Sequence, residues 1–165
     1  MNMNIVHSQL EQHMEINDNI VKLENDPRNL TPAFTYLLSV KADIPSELYA
    51  YYLRKLYTMT TNGVSKELVL RLFDNVRWED IMYDEELDEI KQFPEYIKIF
   101  RGTSKSEIEP RTSWTIKRYV AEEFSEGRIM ETVISKKDIL LYVSKYNDEY
   151  EIVANVTGEV SIYDD

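Results

Sequence analysis

Pro94-Glu95-Tyr96-Ile97-Lys98-Ile99-Phe100 is the stretch where the chain changes character. Tyr96 to Phe100 partly alternates and is rich in β-forming side chains. It follows a proline, which biases the residue before it away from helix, so it predicts a strand. Downstream, Arg111 to Trp114, Arg128 to Ile134, Ile139 to Val143, Tyr150 to Asn155 and Glu159 to Tyr163 read as further strands. Thr157-Gly158 is read as a hairpin turn between the last two. One helix interrupts the series: Ile116, Val120 and Phe124 share a stripe, so residues 116–126 are expected to be helical and closed by Gly127.

Upstream of Pro94 the pattern is helical throughout. Ile5, Leu10, Ile16, Ile20 and Leu23 fall in loose helical spacing across residues 4–24. Thr31-Pro32 predicts an N-cap hydroxyl with proline at the first helical position, opening a helix to about Val40. Pro45-Ser46 opens another, through Leu48, Tyr52, Leu53 and Leu56 to Asn62-Gly63. Ser65 is expected to cap a helix buried through Leu68, Leu72 and Phe73. A last helix carries Trp78, Ile81, Met82, Leu87 and Ile90. Helices gathered before strands predict an α+β fold: a helical N-terminal lobe, residues 1–94, on a β-rich core of mostly antiparallel strands, residues 95–165. The two are expected to form one integrated domain, because so small a β core buries little alone.

At 165 residues and 43% hydrophobic, the chain has material for a core and is not expected to be disordered. It has no cysteine, which excludes disulfides, cysteine nucleophiles and thiolate metal sites and fits a reducing cytoplasm. His7 and His13 read as surface histidines, and no metal site is expected. No apolar run approaches the ~18 residues of a membrane span, and Met1 to Ile16 lacks the pattern of a signal peptide. Net charge is −11, so direct nucleic-acid binding is not expected. Glu79, Asp80, Asp84, Glu85, Glu86, Asp88 and Glu89 concentrate that charge, as a solvated helix face or as a docking surface for a basic partner. Lys98, Arg101, Lys105, Arg111, Lys117 and Arg118 form the opposite cluster, whose field suits an anionic small ligand.

Four short pieces stand out within the last part of the chain: Phe100-Arg101-Gly102, Ser113-Trp114-Thr115, Ala121-Glu122-Glu123-Phe124 and Glu149-Tyr150-Glu151. Arg101 ends a predicted strand, and Gly102 allows close backbone approach. Thr115 also suits the cap of the following helix. Phe124 and, more weakly, Tyr119 are aromatic candidates; Phe124 reads equally as core. Strand geometry puts Glu149 and Glu151 on one face with Tyr150 on the other.

In this order the pieces resemble the Arg…Ser-x-Thr…Glu-x-Glu pattern of mono-ADP-ribosyltransferases, over roughly the last 70 residues. The resemblance implies an ADP-ribosyltransferase-like β-sandwich core and transfer of ADP-ribose from NAD+ to a protein side chain, arginine where Glu-x-Glu is present. It implies NAD+ as substrate, with Arg101 on its phosphate and ribose and Gly102 at the nicotinamide amide. Ser113 would hold the catalytic glutamate, Thr115 would complete that element, and Phe124 would lie against nicotinamide. Glu151 would be that glutamate, Glu149 would serve the acceptor, and the Ser144–Asp148 loop with Tyr146 would recognise it. The segment between Arg101 and Ser113 is shorter than in many relatives. A phage-encoded or bacterial effector acting in the cytoplasm would suit such a chain. NAD+ hydrolysis at the same site and a non-enzymatic acidic interaction protein are the alternatives.

The chemistry fits the residue types. Cleaving the nicotinamide–ribose bond builds positive charge on the ribose, as in glycoside hydrolysis. A fixed carboxylate stabilises that charge, and an arginine fork suits a pyrophosphate.

Overall fold

The structure is a computed structural model, and it describes residues 1–60, 63–107, 111–144 and 149–164. The fold is mixed α+β, with eight α-helices and a six-stranded antiparallel sheet among the described residues. The chain divides into two compact units, Met1–Tyr83 and Asp84–Asp165. No helix among the described residues is long and apolar enough to cross a membrane.

The first unit holds α1 (Met3–Gln12), α2 (Met14–Leu23), α3 (Thr31–Ser39), α4 (Ser46–Met59), α5 (Lys66–Phe73) and α6 (Trp78–Ile81). Its centre is α4, which packs against α1, α3 and α6 and buries Leu48, Tyr52, Leu53 and Leu56. A helix buried on several sides must satisfy its polar groups internally. The Tyr52 hydroxyl accordingly donates to Asn17 Oδ1 at 3.0 Å, and buried Arg54 donates to the Ile81 carbonyl at 3.2 Å. Ser65 caps α5 as expected, accepting from the Leu68 N–H at 3.3 Å.

Three helix expectations shift. Residues 4–24 are two helices, not one, broken at His13, where the backbone leaves the helical region. Thr31 is the first helical residue rather than the cap, which is Leu30 without a side-chain bond. The helix expected from Trp78 through Ile90 is also two. Met82 turns extended after α6, and α7 (Asp84–Gln92) starts afresh with Asp84, Glu85 and Glu86 in its first turn. Three acids at that place complement the partial positive charge of a helix N-terminus. That is the physical sense of part of the acidic stretch.

The second unit contains α7, β1 (Tyr96–Ser104), β2 (Ser113–Thr115), α8 (Arg118–Glu123), β3 (Gly127–Ser135), β4 (Ile139–Val143), β5 (Glu151–Ala154) and β6 (Ser161–Asp164). Its strands run in the order β4-β5-β2-β1-β3-β6. The expected sandwich of two sheets is thus one hydrogen-bonded sheet. It has two three-stranded halves, because β1 and β2 meet at a single register pair, Phe100↔Thr115, whereas β1 and β3 pair all the way from Tyr96↔Ser135 to Ser104↔Gly127. The core lies on β4 and β5, where Leu141, Ile152, Val153 and Ala154 are fully buried.

The hairpin read at Thr157-Gly158 does not form. β5 already has β4 on one edge and β2 on the other, so β6 pairs with β3 at the far side of the sheet. The crossing segment is held by the Thr132 hydroxyl, which donates to the Glu159 carbonyl at 2.7 Å.

The acidic stretch is not a wholly solvated face. Asp80 is buried and takes two bonds from Arg77. Glu86 is fully buried and accepts from the Ser144 N–H, while Glu89 accepts from the Tyr142 and Ser144 hydroxyls. Two of its carboxylates therefore fasten α7 to the end of β4.

Candidate active site

The weak join between the two half-sheets leaves room for a cleft, and the chemistry-bearing residues gather there. Arg101, Gly102, Ser113, Thr115, Phe124, Glu149 and Glu151 all line it, with Phe100 and Trp114. They come from the middle of β1, which runs on past Arg101 to Ser104 rather than ending there, from β2, from the start of β5 and the residue before its turn, and from α8 and its C-cap. Adjacency of β1, β2 and β5 in the sheet is what brings positions so distant in sequence together.

β2 and β5 pair antiparallel with Ser113 opposite Val153 and Thr115 opposite Glu151. Ser113 and Glu151 are therefore diagonal neighbours on one face, a distance that side chains span. The Ser113 hydroxyl donates to Glu151 Oε1 at 2.6 Å. Trp114 and Ile152, paired between them, are buried, and the indole N–H donates to the Arg111 carbonyl at 2.8 Å.

Thr115 has two bonds, and neither is an N-cap. Its hydroxyl donates to the Glu149 carbonyl at 2.6 Å and accepts from the Lys117 N–H at 3.0 Å. Lys117 is the cap residue of α8, which starts at Arg118, two residues later than expected. One hydroxyl thus ties the approach to β5 to the approach to α8.

Glu149 and Glu151 do not share a strand face in the way expected. β5 begins only at Glu151, and Tyr150 has φ +49°, in the left-handed region. A tyrosine there is uncommon and costs on the order of 1–3 kcal/mol. The kink breaks the two-residue alternation, yet both glutamates still face the cleft, Glu149 exposed and Glu151 half-buried. Of the expected recognition loop, Ser144 to Asp148, residues 145–148, with Tyr146, lie outside the described residues.

Phe124 caps the C-terminal end of α8 and is 57% exposed, so it is not a core aromatic. Tyr119 is 52% exposed and is not among the cleft's lining. Gly102 has a steric reason to be glycine. A Cβ there would stand 1.9 Å from the Ala121 carbonyl oxygen and 2.7 Å from backbone atoms of Phe124 and Ser125. Because the clash is with backbone, α8 approaches this closely only over glycine.

Arg101 is gripped on three sides. Nε and Nη2 donate to the two carboxylate oxygens of Glu107 at 3.0 and 3.4 Å, and Nη1 donates to the Ser113 carbonyl at 2.8 Å. The last bond spans the two half-sheets. Glu107 also faces Arg111 at 3.5 Å. Burial pushes the Glu107 carboxyl up, but hydrogen bonds from Arg101 and Thr103 and the charges of Arg101 and Arg111 outweigh it, holding the group below the usual carboxylate range. Sequence reasoning missed Glu107. The signal was an acid standing four residues before Arg111 inside a basic cluster. That cluster is extensively paired: Lys98 with Glu131, and Arg118 with Glu122.

The cleft measures about 70 Å³. Pockets that enclose small molecules are typically about 300–1,000 Å³. In this state it admits a few waters.

No family model, no curated protein and no solved structure matches the chain.

Proposed function

We propose that the chain is a mono-ADP-ribosyltransferase that takes NAD+ as substrate and modifies a protein, at arginine. The observation that carries this reading is the Ser113–Glu151 hydrogen bond at 2.6 Å inside a cleft also lined by Arg101, Gly102, Phe124 and Glu149. A serine that donates to one carboxylate oxygen orients the other. That is the arrangement needed beside a ribose on which positive charge develops. In this reading the core is ADP-ribosyltransferase-like, with the site at the join of its half-sheets.

The residues divide the work. Glu151 faces the nicotinamide ribose and stabilises the oxocarbenium as the C–N bond breaks. Nicotinamide leaves with the bonding pair and becomes neutral. Exposed Phe124 supplies a flat apolar wall for that ring. Glu149, outside the strand and solvent-facing, receives the acceptor guanidinium and takes its proton as the new C–N bond forms. Water in the acceptor's place gives NAD+ hydrolysis instead. The rival reading, an acidic interaction protein, draws less support, because Asp80, Glu86 and Glu89 are committed to internal partners.

The test is incubation of the full chain with labelled NAD+ and a cell lysate, read by nicotinamide release and by mass spectrometry for ADP-ribose adducts. Adducts on arginine support the reading. Absence of both nicotinamide release and adducts rejects it.

A further inference from the structure

Glu107 presents an arrangement that a simple brace for Arg101 does not account for. Two guanidinium groups, from Arg101 and Arg111, converge on its one carboxylate. The Nε–Nη2 edge of Arg101 is the fork that grips an oxyanion through two parallel bonds, and Glu107 fills it. Any phosphate bound by that edge must first remove the carboxylate.

We propose that Glu107 is an internal stand-in for a ligand's diphosphate, and that Arg101 and Arg111 form a two-arginine anion site which a diphosphate enters by displacing it. The proposal deepens the NAD+ reading, since NAD+ carries such a group, and rests on that reading for its biological ligand. It adds Arg111, at half exposure on the outer side of Glu107, as a binding residue.

The backbone around Glu107 is held independently of its carboxylate. Its carbonyl accepts from Arg128 Nη1 at 3.0 Å, and its N–H donates to the Ser104 carbonyl at 3.1 Å. Arg128 is fixed in turn by two bonds to Asp164. A rotation of the Glu107 side chain therefore suffices, with the chain left in place. A diphosphate offers more negative charge and more acceptor oxygens than a carboxylate to the same two arginines, which favours the exchange.

The two roles predict opposite signs. A brace, once removed, weakens anion binding; a competitor, once removed, strengthens it. Calorimetric titration of the full chain with inorganic pyrophosphate as probe separates them. Glu107→Gln keeps the shape and an acceptor for Arg101, and is expected to bind pyrophosphate about tenfold more tightly than the unmodified chain. Arg111→Ala is expected to bind it about tenfold more weakly. Equal or weaker binding by a folded Glu107→Gln overturns the proposal, as does binding to neither it nor the unmodified chain. Should Glu107→Gln fail to fold, Arg111→Ala decides, because unchanged affinity there removes the second arginine and the proposal with it. Pyrophosphate binding is independent of catalysis, so loss of nicotinamide release alone would count against the transferase reading and not against this site.

Discussion

Ser113 and Glu151 are diagonal partners across the β2–β5 pair, and the serine hydroxyl lies 2.6 Å from the carboxylate. Their neighbours Trp114 and Ile152 are buried on the alternate face, so the register that positions them is set by the core. A slip of one residue would send both to the wrong side.

Ser113→Ala removes that donor without changing the register. Nicotinamide release is expected to fall about tenfold, the value of one hydrogen bond to a charged group at roughly 1.5 kcal/mol. Thermal melting should move little, and Ser113→Thr, which keeps a hydroxyl, should recover part of the rate. An unchanged rate in Ser113→Ala would show that Glu151 is oriented by other contacts.

Gly102→Ala tests how α8 is seated. The added Cβ meets backbone, which cannot turn aside as a side chain can. A loss of about 3 kcal/mol in stability is expected, at the upper end of what overpacking costs. Denaturant titration of the purified variant measures it. Wild-type stability would mean that α8 sits further from β1 than this.

Much of this was readable from the chain. The change at Pro94 gave the strands, since alternation and β-branched residues report a pleated, half-buried surface directly. The six residues Arg101, Ser113, Thr115, Phe124, Glu149 and Glu151 were each picked out, and one cleft holds them all. What escaped was non-local. Tyr150 looks extended by composition, but it stands at φ +49°, just before β5 begins. Thr157-Gly158 carries a genuine turn signal, yet which strand β6 joins depends on which edges are already occupied. Glu107 reads as one acid among many until folding sets two arginines around it. Gly102 is explained by the passage of α8 above it, a contact local sequence does not reveal.

The depressed pKa of Glu107 makes a statement about acid stability. A carboxyl held lower in the folded chain than in the unfolded one contributes stability that is full above the unfolded value, here the ordinary 4.5. That contribution is lost as pH falls through the folded value. Asp164, also held low by its bonds from Arg128, adds in the same sense from 3.8 downward. Stability is thus expected to fall on acidification below about pH 4.5, and less steeply in Glu107→Gln, which has no proton to take up. Melting temperatures at stepped pH from 7 to 3 check this, and parallel curves for the two chains would contradict it.

The central claim is that the charge of Glu151 serves the breaking of the nicotinamide–ribose bond. Its most direct test follows nicotinamide release and protein labelling in parallel for the unmodified chain, Glu151→Gln and Glu149→Gln. Glu151→Gln keeps shape and a hydrogen bond but removes the charge. It is predicted to lower both activities together, by about 10²–10³. Glu149→Gln is predicted to lower labelling strongly while sparing much of the slow hydrolysis, because water needs no second carboxylate to position it. Nicotinamide release at the full rate from Glu151→Gln would contradict the account.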